Sequence, residues 1–97
     1  MDRQDRSVKW RFVTADMQLK QGRCELIYAF LSPSGASTAN DIYDGISTNG
    51  DRIVRLEAAG ETGLPFNPPT PIPCNKGLFV DVGTNTTGIL VIWRDLE

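Results

Sequence analysis

The chain has 97 residues, of which 40% are hydrophobic and 23% are charged, and its formal net charge is −2. This length is enough for one domain and too short for two independent cores, and the composition is ordinary for a globular protein. Nucleic-acid binding usually needs a concentrated basic surface, so the slightly acidic balance predicts no nucleic-acid partner. The longest apolar runs, such as residues 26–31, fall well short of the ~20 residues of a membrane-spanning helix, which predicts no membrane partner.

Residues 1–6 are polar and charged apart from Met1. We predict that they form a flexible N-terminal arm and that residues 7–97 form a single β-sandwich domain. Because the start of the chain has no apolar core, it does not have the pattern of a secretory signal. We therefore expect the protein to be made in the cytoplasm and to stay or be assembled there.

The first predicted strand covers residues 7–13, where apolar side chains alternate with basic ones: Val8, Trp10 and Phe12 with Lys9 and Arg11. This period of two predicts one buried face and one solvated face. We expect the apolar face to be the buried one. Residues 14–22 have no sustained period, and we interpret them as a loop or a short irregular strand.

The most apolar predicted strand covers residues 23–32. Simple alternation places Cys24, Leu26, Tyr28 and Phe30 on one face and Ile27, Ala29 and Leu31 on the other. A strand that is apolar on both faces is typical of the centre of a sheet, or of a sheet covered by a second layer or by a neighbouring subunit.

Two turn dipeptides, Asp44-Gly45 and Asn49-Gly50, supply residues that tolerate positive φ. They predict that a short strand around residues 42–43 reverses tightly into a strand over residues 51–59. In this second strand the alternation places three side chains towards the core, with Ile53 departing from the pattern: Val54, Leu56 and Ala58. Residues 36–40 are small and polar, and we expect them to bury little.

Residues 60–73 contain every proline of the chain except Pro33. Proline lacks the amide hydrogen that a central strand needs, so this stretch is predicted to be an ordered loop or an edge segment. Its apolar anchors are Leu64, Phe66 and Ile72.

The end of the chain has two apolar runs, residues 78–82 and 89–93, separated by the turn-forming sequence of residues 83–88. This pattern predicts a β-hairpin with a long loop. Turn signals recur along the chain at intervals of roughly ten residues, which is typical of an all-β fold. We predict a small antiparallel β-sandwich or jelly roll of six to eight short strands with no substantial helix.

The sequence contains no histidine, the commonest general base and metal ligand. Since no other titratable groups cluster, we predict no catalytic residues, no metal site and no cofactor, and hence no enzyme. Oxygen-bearing side chains at residues 40–44, Asn49 and Asp51 could surround a cation, but turn formation is the favoured interpretation. Cys24 and Cys74 are expected to be reduced thiols, although sequence separation does not exclude a disulfide.

Four motifs occur in a characteristic order. An Ile-Tyr-Asp-Gly turn lies at residues 42–45, an Arg-Ile-Val-Arg-Leu strand at residues 52–56, then a proline-rich passage, and Lys-Gly-Leu-Phe-Val-Asp-Val-Gly-Thr at residues 76–84. Over roughly residues 23–94, this order resembles small β-sandwich proteins of tailed-bacteriophage virions.

The resemblance implies a non-enzymatic structural subunit, such as a capsid decoration or cement protein or a head-to-tail accessory. Proteins of this kind usually act as closed rings, so it implies a homo-oligomer, with a trimer favoured. It also implies binding to other virion proteins, such as the major capsid protein. The implied location is the virion, at the capsid surface or the head–tail region, after synthesis in the bacterial cytoplasm.

The proline-rich loop is a candidate docking element, because prolines reduce the entropy that a loop loses on binding. The candidate interface residues are Leu64, Pro65, Phe66, Pro68, Pro69 and Ile72. An equally weighted alternative is that this loop closes one end of the sandwich.

The alternative function is a carbohydrate- or receptor-binding β-sandwich module of a phage tail or tail fibre. It requires a solvent-exposed aromatic side chain on one sheet face. Both tryptophans, Trp10 and Trp93, occupy apolar positions of predicted strands, and we expect them to pack in the core.

Overall fold

A computed structural model describes residues 8–35 and 37–96 of the protein, and the predicted arm at residues 1–6 lies outside them. The strands are β1 (Val8–Val13), β2 (Met17–Gln21), β3 (Cys24–Pro33), β4 (Thr38–Asp44), β5 (Asp51–Ala58), β6 (Leu64–Phe66), β7 (Ile72–Cys74), β8 (Gly77–Asp81) and β9 (Thr86–Asp95). The described part of the chain has no helix long and apolar enough to cross a membrane.

The strands form two antiparallel sheets packed together, which confirms the predicted all-β sandwich. One sheet has the order β1-β9-β3-β6, with β7 also paired to β3, and the other has the order β2-β8-β4-β5. The described residues contain nine strands, more than the six to eight predicted. The excess comes from the proline-rich loop, which contributes two three-residue strands at the sheet edge, β6 and β7.

One apolar core lies between the two sheets. Its largest fully buried apolar side chains come from both of them: Val13, Leu26, Leu31, Ile89 and Val91 from the five-stranded sheet, and Ile42, Leu78 and Val80 from the four-stranded sheet. At about 1.5–3 kcal/mol for each fully buried aliphatic side chain, this layer is the main favourable contribution to folding.

The central pair of the five-stranded sheet is β3 with β9, which run side by side over most of their ten residues each. A bulge interrupts this pairing between Leu26 and Tyr28, so Ile27 is an extra residue. Leu26 and Ala29 are therefore both buried, and Tyr28 turns to the opposite face. The predicted face assignment was wrong beyond Leu26, because an inserted residue reverses the alternation.

Strand β1 forms one edge of the five-stranded sheet and pairs with β9 alone among the described strands. Val8, Trp10 and Phe12 are 46%, 68% and 42% exposed, so the prediction that they are buried was wrong. Their basic neighbours, Lys9 and Arg11, are exposed as well. Both faces of β1 are thus open up to Phe12, because the four-stranded sheet does not cover this end of the strand.

The predicted hairpin at the end of the chain was also wrong. β8 pairs with β2 and β4, whereas β9 pairs with β1 and β3, so the two strands lie in different sheets. The connection between Asp81 and Thr86 crosses from one sheet to the other and turns at Asn85, whose φ is 60°. A turn-rich loop between two apolar runs is compatible with a hairpin and with a connection between two sheets. Pairing with distant strands determines which of the two forms.

The predicted hairpin in the middle of the chain is confirmed, since β4 pairs with β5. The register shifts between Ile42 and Tyr43, and Ile53 is the residue left without a direct partner, which explains its departure from the alternation. β4 begins earlier than expected, at Thr38. Thr38 and Asn40 are buried although both are polar, which corrects the expectation that residues 36–40 bury little.

The buried amide of Asn40 holds the crossing connection in place. Its Oδ1 accepts hydrogen bonds from the Gly83 amide at 2.6 Å and from the Thr86 hydroxyl at 3.0 Å. Its Nδ2 donates to Thr38 Oγ1 at 3.1 Å and to the Leu56 carbonyl at 3.3 Å. One fully buried side chain therefore joins β4, β5 and the link between the sheets, and its polar atoms are all satisfied.

We expect Asn40→Ala to lower the free energy of unfolding by about 1–3 kcal/mol, because it leaves buried hydrogen-bonding groups without partners. The exposed Asn67 provides the matched control, and Asn67→Ala should change stability by less than about 0.5 kcal/mol. Urea denaturation followed by circular dichroism measures both values. Equal losses for the two variants would contradict the role assigned to Asn40.

Candidate functional site

The outward side of the five-stranded sheet carries a continuous set of apolar side chains. Residues directly opposite each other in an antiparallel pair point to the same face. Trp10, Ile92 and Tyr28 form one row across β1, β9 and β3, and Phe12, Leu90 and Phe30 form the next. We call this surface the outer apolar face; its residues are Val8, Trp10, Phe12, Tyr28, Phe30, Leu90 and Ile92.

The face exists because β9 is apolar at every position of its centre. Ile89, Val91 and Trp93 are buried towards the core, and the alternate positions Leu90 and Ile92 are half-buried on the other side. A sheet in a two-layer sandwich has one face against its partner and one face against solvent. The second apolar set therefore has no covering layer among the described residues.

Two aromatic rings of the face lie directly over glycines. A side chain at Gly88 would overlap the ring of Phe12, and a side chain at Gly63 would overlap the ring of Phe30. The tip of each ring thus lies close to backbone that has no side chain to displace it. This packing limits the rotamer freedom of the two rings, so less entropy is lost when a partner covers them.

Charged residues border the face at one end and are paired. Arg94 Nη1 lies 2.8 Å from Glu25 Oε1 in the row that contains Val8. On the other side of β1, Lys9 Nζ lies 2.6 Å from Asp95 Oδ2. Although burial alone would raise the pKa of Asp95, hydrogen bonds from Lys9 and from the Trp93 indole hold it below its usual value. On the side of the outer apolar face, the Arg94–Glu25 pair thus makes this end of the border close to neutral in charge.

The outward side of the four-stranded sheet has more charged residues. Asp41 accepts two hydrogen bonds from Arg55, at 2.9 Å and 3.2 Å, and it lies directly opposite Asp81 on β8. Burial raises the pKa of Asp81, and the nearby Asp16 carboxyl adds to this rise. Tyr43 and Phe79 are paired on this side as well, but both are half-buried, and no described aromatic residue here is as exposed as Trp10.

The predicted interface residues lie along the edge of the five-stranded sheet. Leu64, Phe66 and Ile72 are half-buried and pack against the core. Pro65 is exposed and lies opposite Phe30, at the border of the outer apolar face. The structure brings only Pro65 to this face, with Pro68 half-buried and Pro69 exposed further along the loop.

The residues considered for a cation site are separated and hold the fold together. Asn40 points into the core, whereas its neighbour Asp41 points outwards to Arg55. At the far end of β4, the Asp44 carboxylate accepts hydrogen bonds from the backbone amides of Asn75, Lys76 and Gly77 at 3.1, 2.8 and 3.3 Å. Asp44 thereby fixes the connection from β7 to β8.

Sequence reasoning missed the exposure of the aromatic residues on β1. The available signal was the apolar character of both faces in β3 and β9, which requires either a third layer or an open face. Alternation shows that Val8, Trp10 and Phe12 share a face, but it does not show on which side of the sheet the core lies.

We expect Asp81→Asn to stabilise the protein at neutral pH, because it removes a charge that burial and Asp16 disfavour. A carboxyl whose folded pKa is raised contributes stability below its unfolded pKa of about 3.9, and this contribution is lost as the pH rises through the folded pKa. The advantage of the variant should therefore fade as the pH falls towards 4.

Denaturant midpoints across this pH range, with the exposed Asp51→Asn as the control, measure the effect. A neutral-pH midpoint for Asp81→Asn below that of the wild type would contradict the assignment.

No family model, no curated protein and no solved structure matches the chain. The case for a function therefore depends on the outer apolar face itself, on its exposed aromatic side chains and on the paired charges at its border.

Proposed function

We propose that the protein is a non-enzymatic structural subunit that adheres to other protein through the outer apolar face. In full, the proposal is a capsid decoration or cement protein of a tailed phage, made in the bacterial cytoplasm and assembled on the capsid surface or the head–tail region. The observation that supports it is the set of aromatic and aliphatic side chains across β1, β9 and β3, which no other described segment covers.

The size of the face favours a macromolecular partner. Trp10 is 68% exposed, which for an aromatic side chain corresponds to about 150 Å² of accessible surface. The face also includes six further apolar side chains on three adjacent strands. Monomers rarely leave contiguous apolar patches above a few hundred Å² open unless the patch binds something.

The chemistry of the outer apolar face favours a protein partner over a lipid surface. Proteins that lie on membrane surfaces combine apolar side chains with unpaired basic residues that attract anionic lipid. At the border of this face, Arg94 is paired with Glu25, and the chain as a whole has a net charge of −2. Aromatic anchors with neutral surroundings are instead typical of the centre of protein interfaces.

The first partner we propose is a second copy of the chain, in a closed ring for which a trimer is the expected number. In a closed ring every copy contributes the same surfaces, and in a trimer the outer apolar face of one copy would meet a different surface of the next copy. Among the described strands, β1 has no neighbour on its outer edge, and a partner strand could pair with the backbone groups there. The virion resemblance extends the proposal to contacts with the major capsid protein.

A carbohydrate- or receptor-binding module is the second candidate, and one observation favours it. Trp10 is exposed on a flat sheet face, as sugar stacking requires. However, the neighbouring residues on the face are Phe12, Leu90 and Ile92, which have no hydrogen-bonding side chains. Apart from Trp10 itself, the face offers sugar hydroxyl groups one polar side-chain group, the hydroxyl of Tyr28 at the other end of the row. Specific small-ligand sites need a few such polar groups, and this favours the protein contact.

The test measures assembly with a pair of matched variants. Trp10→Ser removes the most exposed apolar residue of the outer apolar face, and Ile46→Ser removes a comparably exposed one, at 51%, from the β4–β5 turn. We expect multi-angle light scattering to give an oligomer for the wild type and for Ile46→Ser. Trp10→Ser should weaken association by roughly 30-fold or more, the effect of a central anchor worth ~2 kcal/mol.

We expect the wild type and Ile46→Ser to bind purified capsids in a co-sedimentation assay, and Trp10→Ser to bind them more weakly. A wild-type chain that stays monomeric at high concentration and ignores capsids would overturn the proposal. Glycan-array binding that is lost with Trp10→Ser, in a chain that does not self-associate, would establish the second candidate instead.

A further inference from the structure

We propose that Cys24 and Cys74 form a thiol–disulfide site, in which a small-molecule disulfide oxidises the pair to an intrachain bridge that locks β7 onto β3. This goes beyond the proposed function and does not depend on it. Both cysteines are free in the structure and almost completely buried, at 0% and 1% exposure.

The geometry of the pair suits a bridge without movement of the backbone. Cys24 and Cys74 are direct partners in the antiparallel ladder between β3 and β7. Directly opposed residues have Cα atoms about 4.5–5.5 Å apart and side chains on the same face. Disulfides form at Cα separations of about 4.4–6.8 Å, so either kind of ladder position meets the requirement.

The side chains of Cys24 and Cys74 lie next to each other on one face of the ladder. The neighbouring Cys74 thiol lowers the pKa of Cys24 below its ordinary value, whereas Cys24 and burial raise the pKa of Cys74. Cys74 Sγ also lies 3.6 Å from the carbonyl oxygen of Ile72, to which it can donate. The pair therefore has distinct roles, with Cys24 as the thiolate that attacks first.

The reaction balances as two thiol–disulfide exchanges. The Cys24 thiolate attacks one sulfur of the oxidant RSSR, breaks its S–S bond and releases RS⁻, which takes up the proton lost by Cys24. Deprotonated Cys74 then attacks the Cys24 sulfur of the mixed disulfide and releases the second RS⁻, which takes up the proton of Cys74. Both cysteines are oxidised, and one RSSR is reduced to two RSH.

An oxidant can reach the two buried cysteines when β7, a short strand, opens locally. This strand has three residues at the edge of the sheet, includes Pro73, and follows Pro71. Proline donates no hydrogen bond to a ladder, so β7 is held to β3 by few backbone bonds. It can open from its Pro71 end, while Asp44 keeps the segment after Cys74 in place. Once formed, the bridge would close the chain between residues 24 and 74, which restricts the unfolded state.

The experiment compares reduced wild-type protein before and after incubation with oxidised glutathione. We expect the intact mass to fall by two hydrogen atoms, with one proteolytic product joining Cys24 to Cys74. The thermal midpoint should rise by roughly 10 °C or more and return to its starting value when dithiothreitol is added. Cys74→Ala, treated in the same way, should show no rise.

Three results would overturn the proposal: two thiols still free after oxidation, stable glutathione adducts on both cysteines, or bridges between different chains. An unchanged or lower midpoint in the bridged protein would overturn the locking of β7. If Cys74→Ala does not fold, the comparison of oxidised and reduced wild type still tests whether the bridge forms and stabilises the protein, because it needs no substitution. None of these readouts involves assembly, so their outcome is separate from that of the proposed function.

Discussion

The structure depends on one constraint: the two central strands of the larger sheet, β3 and β9, are apolar on both of their faces. Successive side chains of a strand point to opposite sides, and a two-layer sandwich can cover only one side of each sheet. Leu26 and Val91 are fully buried between the layers. The alternate positions, such as Leu90 and Ile92, then face away from the core, and the edge strand β1 extends that apolar surface with Trp10.

The polar residues of the fold are concentrated elsewhere, and this is what makes the two outer surfaces so different. Asn40 joins the sheets at one end, and Asp44 fixes the β7–β8 connection at the other. The outward side of the smaller sheet carries Asp41 and Arg55 in a two-bond ion pair. Such groups would cost free energy if a partner covered them without replacing their water contacts, so the larger sheet is the better site for attachment.

Much of this architecture could be predicted from the sequence, because local patterns produce local structure. Alternating segments and frequent turn residues indicate an all-β fold, and the Asp-Gly and Asn-Gly dipeptides at residues 44–45 and 49–50 predict the β4–β5 hairpin. What could not be predicted depends on distant parts of the chain. The bulge at Ile27 exchanges the two faces on which the side chains after Leu26 lie in β3. The connection from Asp81 to Thr86 crosses from one sheet to the other. The exposure of Trp10 follows from where the second sheet ends.

The central claim is that the outer apolar face is open in the free chain and covered in the assembly. Collisional quenching by iodide tests it most directly, with Trp93→Phe reporting on Trp10 alone and Trp10→Phe reporting on Trp93 alone. The structure predicts strong quenching of Trp10, at 68% exposure, and weak quenching of Trp93, at 7%. On assembly the quenching of Trp10 should fall towards that of Trp93. A Trp10 already shielded in the monomer, or equally accessible before and after assembly, would contradict the account.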